Sequence, residues 1–262
     1  MTAPRLSISD ATAWTQAFLE REWRLTLPVA FALMGLPAII VELFAPVAHG
    51  PQDLAIPLLS GMLAAIATIA GALAVSALAL RPAISVAEAL ALAFRRLLVM
   101  IGATLIAGVG GGIVLALLAV IVTLASGAEQ AMQPGHAGLL VSVMMLLMVA
   151  IAARLCMITP IVVVEPIGPM RALVRSWMLS RGHFWRLFAL LMMVVMTSLI
   201  VSVAAQSVTG VIVWLIGRAT GFDTLMRTIV AVVGALVNAV VSMLFAVLIA
   251  AIYRQLAASR AT

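Results

Sequence analysis

The sequence predicts an all-α polytopic membrane protein: six transmembrane helices in three parallel repeats, each an interfacial amphipathic helix followed by two spans. Three observations lead there. The 262 residues are 65% hydrophobic and 9% charged, against roughly 25% charged in an ordinary soluble domain. Polar residues are therefore too few to cover a water-facing surface. Six apolar runs are each long enough to cross a hydrocarbon layer of roughly 30 Å. The arginines between those runs fall almost entirely on one side of an alternating topology.

Residues 1–8 read as a tail. Ser9–Trp23 reads as an interfacial helix, with Ser9 placed to cap it and Ala13, Trp14, Ala17 and Phe18 on one face. Span 1 covers about Leu25–Ala48, with Pro28 in its first turn and Pro37 near its middle, where a kink is expected. Asp10, Glu20 and Glu22 precede this run, which is too long for a signal-peptide core, so span 1 is expected to stay in the mature chain. Span 2, about Ile56–Leu80, is rich in Ala and Gly. Small side chains let helices approach closely, which places it inside the bundle.

After Arg81-Pro82, Ser85 and Glu88 have capping-box spacing. Val86, Ala89, Leu90, Ala93, Phe94 and Leu97 then recur at helical spacing in a second amphipathic helix ending at Arg95 and Arg96. Span 3, about Leu97–Leu124, holds the run Gly108-Val-Gly-Gly-Gly112. No strand precedes that run and no Lys-Ser/Thr follows it, so it is not a phosphate-cradling loop. A tight packing face or a local helix break is the better reading. A polar loop over 125–138 leads to span 4, about Leu139–Val164, interrupted by Arg154 and Pro160. Glu165-Pro166 turns the chain out of the span.

A third amphipathic helix follows. Met170, Leu173, Val174, Trp177 and Met178 form its apolar face, Arg171 and Arg175 lie one turn apart, and Gly182 is its expected stop. Span 5, about Leu187–Ile216, exceeds the length needed and is expected to tilt, kink or project. A polar loop with Arg218, Asp223 and Arg227 leads to span 6, about Ile229–Tyr253.

Ile8, Ser9, Ala11, Ala13, Ala17 and Phe18 recur as Ile84, Ser85, Ala87, Ala89, Ala93 and Phe94, at a constant offset of 76 residues. The third copy is looser: Arg81-Pro82, Ala89-Leu90 and Phe94 parallel Glu165-Pro166, Ala172-Leu173 and Trp177. The chain is thus expected to be one membrane domain over 1–262, with repeats at about 9–80, 85–164 and 167–253. Two spans per repeat give all three the same orientation. A cytoplasmic N-terminus puts Arg5, Arg21, Arg24, Arg81, Arg95, Arg96, Arg171, Arg175, Arg181, Arg186, Arg254 and Arg260 inside, and only Arg218 and Arg227 outside. Both termini are then cytoplasmic.

Charge and motif content narrow the function. The isoelectric point of about 11.4 suggests nucleic acid, but the arginines sit in short connectors, where topology and anionic headgroups explain them better. Cys156 is the only cysteine, which excludes an internal disulfide and a Cys-based metal framework. His49, His136 and His183 are scattered over different loops, with His183 expected on the opposite side from the other two. There is no HExxH, no GxSxG and no clustered carboxylate. No catalytic activity, cofactor or metal is expected.

Two groups of candidate residues stand out. Arg154, near the middle of span 4, is costly there by roughly 2.5–3.5 kcal/mol and should face protein or water. It is read either as part of a polar route with Gln206, Asn238 and Glu165, or, preferentially, as a residue that snorkels to headgroups or pairs with a buried acceptor, for which Asn238, Gln206 and Ser202 are candidate neutral partners. Glu165 is likewise better read as a helix boundary or an Arg partner than as a proton carrier. Arg171, Arg175, Arg181 and Arg186, with Trp177 and Trp185, form a candidate headgroup-contact collar, since guanidinium suits phosphate and indole suits the interface. The competing reading is that they only set topology and anchor the helix.

Pro160, the Ile161–Val164 run, Glu165, Ala172-Leu173, Ser176-Trp177, Leu179, Arg181-Gly182 and Trp185-Arg186 carry a resemblance. This stretch resembles the membrane domain of the glycerophosphoryl diester phosphodiesterase family, a bacterial group of six-span proteins. In that family the membrane domain can be joined to a soluble phosphodiesterase domain, for which the spans here leave no room. The resemblance implies a bacterial inner-membrane protein and carries over no catalytic residue. Together these readings favour a non-catalytic, lipid-interacting scaffold or accessory component of the cell envelope. The alternative is a transporter or lipid-translocating protein with a polar route near span 4.

Overall fold

The computed structural model describes residues 8–44, 55–81, 84–126, 134–182, 184–220 and 223–258. Every element among them is helical. They are α1 (Ile8–Ala30), a π-helical turn (Phe31–Gly35), α2 (Leu36–Phe44), α3 (Ala55–Leu80), α4 (Val86–Ser126), α5 (Pro134–Leu155), α6 (Ile158–Val164), α7 (Pro169–Ser180), α8 (Phe184–Thr220) and α9 (Asp223–Ala258). Among the described residues, six stretches are long and apolar enough to cross a membrane, in agreement with the six spans expected. Leu98 and Leu124 are each 80% exposed, a surface suited to lipid rather than water.

α3 and α9 form the centre. Half of the apolar window of α9 and 44% of that of α3 are buried, against none of that of α4. α3 packs on α1, α2, α4, α6 and α9, so the Ala-rich second span is inside the bundle as expected. Leu73, Ala74, Val75, Ser76 and Ala77 of α3 are all buried. The close approach is concrete at Gly71, where a Cβ would lie 2.9 Å from Met34 Cγ and 3.0 Å from Leu33 Cβ.

Three expectations are corrected. First, neither of the first two amphipathic helices is a separate element. α1 runs unbroken from Ile8 to Ala30, with Ser9 inside it, and α4 runs unbroken from Val86 to Ser126. No Gly or Pro lies between Ser9 and Leu27 or between Val86 and Ile101, so the helix propagates across each junction, and α1 continues through Pro28. The 41 residues of α4 rise roughly 60 Å, about twice the hydrocarbon thickness. Second, at Pro37, where a kink is expected, the helix changes type. The turn before it is π-helical, closed by Leu36 N–H donating to the Phe31 carbonyl. A wider turn makes room for a proline ring that would clash with the carbonyl four residues back.

Third, the glycine run in α4 is neither a tight contact nor a break. A Cβ at Gly108, Gly110 or Gly112 would meet nothing within 4 Å. The paired positions of the first two proposed repeats also differ in packing. Phe18 is 7% exposed and Phe94 is 58% exposed, while Ala17 is exposed and Ala93 buried.

The capping box at α4 forms as expected. Glu88 Oε2 accepts from the Ser85 backbone N–H at 2.9 Å, and Ser85 Oγ accepts from the Glu88 N–H at 3.2 Å. His49 and His183 lie outside the described residues.

Candidate functional site

The functional residues with resolved geometry converge where α5, α6 and α7 meet. Span 4 is two helices. α5 ends at Leu155, Cys156 and Met157 form a turn, and α6 starts at Ile158. Pro160 explains the break. Its ring is incompatible with a helical carbonyl at Cys156, and in the first turn of a new helix its missing N–H costs nothing.

The break frees the carbonyl of Arg154, whose helical partner would have been the Ile158 amide. Two serines of α7 take that place. Ser176 Oγ donates to Arg154 O at 2.9 Å and Ser180 Oγ at 3.0 Å. The Ser180 proton is shared, because the same hydroxyl lies 2.9 Å from Ser176 O. Both serines are fully buried, where an unsatisfied carbonyl would be expensive.

The Arg154 side chain turns to aromatic faces. Its guanidinium carbon lies 5.0 Å from the Trp177 ring centroid and 4.4 Å from that of Phe184. Gln206 is exposed on α8. Asn238 lines a separate groove with Ser198, Ser202 and Ser242, and Arg154 is not among that groove's lining residues. Gln206 is not among them either.

Glu165 ends α6 in an extended conformation, with its backbone N–H bonded to Ile161 O. Its carboxylate pairs with Arg175 Nε at 3.5 Å, and Tyr253 OH donates to it at 3.3 Å. It does not pair with Arg154. Beside it, Arg81 Nη2 donates to Val163 O at 3.2 Å. The ends of α3, α6, α7 and α9 are thus tied together at one end of the bundle.

α7 presents its large apolar residues outward. Its buried face is Ala172, Ser176, Leu179 and Ser180. Met170, Val174, Trp177 and Met178 are 61%, 52%, 48% and 51% exposed, so the bulkiest row of this helix faces away from the protein. Arg171, Arg175, Arg181 and Arg186 are exposed along with Trp185. Gly182 stops the helix as expected, with a φ of +90°. Of the collar residues, Arg175 is paired with Glu165 and Trp177 carries the Arg154 guanidinium.

Sequence reasoning missed Ser176, Ser180 and Tyr253. The signal for the serines was present in their spacing: they are one turn apart, on the side of the helix that also holds Ala172 and Leu179. Among the described residues no three His, Cys, Asp or Glu side chains gather as a metal site.

A model of the family described as a domain of unknown function (DUF7847) matches residues 25–256, most of the chain. No curated protein and no solved structure matches it.

Proposed function

The chain belongs to the DUF7847 family of unknown function, and from that premise we propose that it is a non-catalytic membrane protein, a lipid-interacting scaffold or accessory component of a bacterial inner membrane. The observation that carries this reading is the outward apolar row of α7 flanked by arginines. A helix packed only for stability would turn Met170, Val174, Trp177 and Met178 inward. Turned outward between Arg171 and Arg181, they match an interfacial helix: apolar side chains at the acyl boundary, guanidinium groups at the phosphates. The same reading places both termini in the cytoplasm and makes anionic lipid the main partner. We also propose kinship with the membrane domain of the glycerophosphoryl diester phosphodiesterase family, on the residues between Pro160 and Arg186. The transporter reading is less favoured, since the groove that holds Asn238 is lined by neither Arg154 nor Gln206.

The test uses the full chain with Trp177 as its only tryptophan, reconstituted in vesicles containing bromine-labelled lipid. The expected result is strong Trp177 quenching by lipid brominated near the headgroup. Quenching should be stronger when the brominated lipid is anionic rather than zwitterionic. Replacing Arg171 and Arg181 by Gln should remove that preference. Quenching that is absent, or blind to lipid charge in the unsubstituted chain, would sink the proposal.

A further inference from the structure

A second feature lies away from α7. Where α3 ends and α1 and α9 pass it, the bundle encloses an open cavity of about 550 Å³, within the size range of small-molecule sites. Its walls are graded. Phe18, Thr26 and Ala79 are buried, whereas Arg21, Arg81 and Arg254 are exposed at the rim. Glu22 is the one carboxylate among the lining residues and pairs with Arg21 at 3.5 Å. The positive charge of Arg81 and Arg254 therefore has no lining carboxylate to balance it.

Both of those arginines are positioned. Arg254 lies 4.6 Å from the ring centroid of Trp14, which itself stacks on Phe18 at 5.5 Å. Arg81 is anchored by one guanidinium nitrogen on Val163 O. A guanidinium held by its face on an indole, or by one nitrogen on a carbonyl, keeps further N–H groups for an anion. Phosphate is the anion whose geometry such a fork matches best.

We propose that this cavity is a binding site for a phosphate-bearing ligand, with the phosphate on Arg81 and Arg254 and any apolar tail along the Phe18 wall. An anionic rim partner and an apolar floor are the chemistry of a phospholipid with a compact headgroup. A soluble phosphate compound shares the rim chemistry alone.

Native mass spectrometry of the full chain in mild detergent tests this with three probes: phosphatidic acid, diacylglycerol of the same chains, and inorganic phosphate. Ala17→Phe fills the cavity from an exposed lining position without replacing an arginine, and Arg254→Gln removes one charged partner. Each should lower phosphatidic acid retention by about tenfold, the loss of roughly one charge-assisted contact. The α7 double variant Arg171→Gln/Arg181→Gln should leave that retention unchanged, which separates this site from the collar. Inorganic phosphate retained in the same variant-sensitive way, with no lipid retained, would also support the phosphate site and assign it a soluble ligand. Diacylglycerol held as well as phosphatidic acid would overturn the proposal. So would retention unaffected by both cavity variants, or lowered only by the α7 variant.

Discussion

The hydroxyl of Ser180 donates to the carbonyl oxygen of Arg154 at 3.0 Å, tying α7 to the end of α5 across 26 residues. Ser176 donates to the same oxygen. A helix broken inside an apolar span must have its freed carbonyls satisfied by protein, because lipid offers no donor. The break before Pro160 and the two serines of α7 are therefore one arrangement.

Removing both hydroxyls should cost more than the sum of removing each. Either serine alone can cap Arg154 O, so Ser176→Ala and Ser180→Ala should each be mild. The double variant leaves a buried acceptor unpaired and should lose about 1–3 kcal/mol. Unfolding of the purified protein in detergent measures this, and strictly additive small losses would show that the caps are dispensable.

The Arg154 stack on Trp177 and Phe184 should be worth about 0.5–2 kcal/mol. A double-mutant cycle of Arg154→Met with Trp177→Leu isolates it. Arg154→Lys should not rescue the loss fully, because an ammonium cannot stack as a planar guanidinium does. A coupling energy of zero would mean that the contact is incidental.

Gly182→Ala should destabilise by about 1–2 kcal/mol, since its φ of +90° disfavours any Cβ. Gly110→Ala is the contrast, because a Cβ there meets nothing within 4 Å. It lies inside α4 and should be neutral or stabilising by up to about 1 kcal/mol. Equal effects of the two changes on melting temperature would contradict the backbone argument.

At Glu165, burial ranks the two partners. Tyr253 is 6% exposed, so Tyr253→Phe should cost about 0.5–1.5 kcal/mol through its lost hydrogen bond. The Arg175 side chain is 46% exposed, and Arg175→Gln should cost less, within about 0–1 kcal/mol. Chemical denaturation that reverses this order would show that charge, not burial, governs this contact.

Much of the fold was legible in local sequence. The capping spacing of Ser85 and Glu88, the exit at Glu165-Pro166 and the stop at Gly182 all depend on a few neighbouring residues and their backbone limits. The candidate site was legible only in part. Arg154 and Glu165 were visible as anomalies, but their partners Phe184, Ser176 and Tyr253 lie 22 to 88 residues away. The continuity of α1 and α4 was missed because amphipathic and span-like patterns can follow one another along a single unbroken helix.

The sequence by itself determined the class and the number of apolar crossings, because bilayer thickness sets span length and few charges survive in hydrocarbon. It also determined the break at Pro160 and the stop at Gly182. Only the tertiary structure decided which face of each helix packs. In a bilayer the lipid-facing and protein-facing sides are both apolar, so periodicity marks a stripe without saying whether it turns in or out. That is why Met170, Val174 and Trp177 point outward while Ala172, Ser176 and Leu179 are buried.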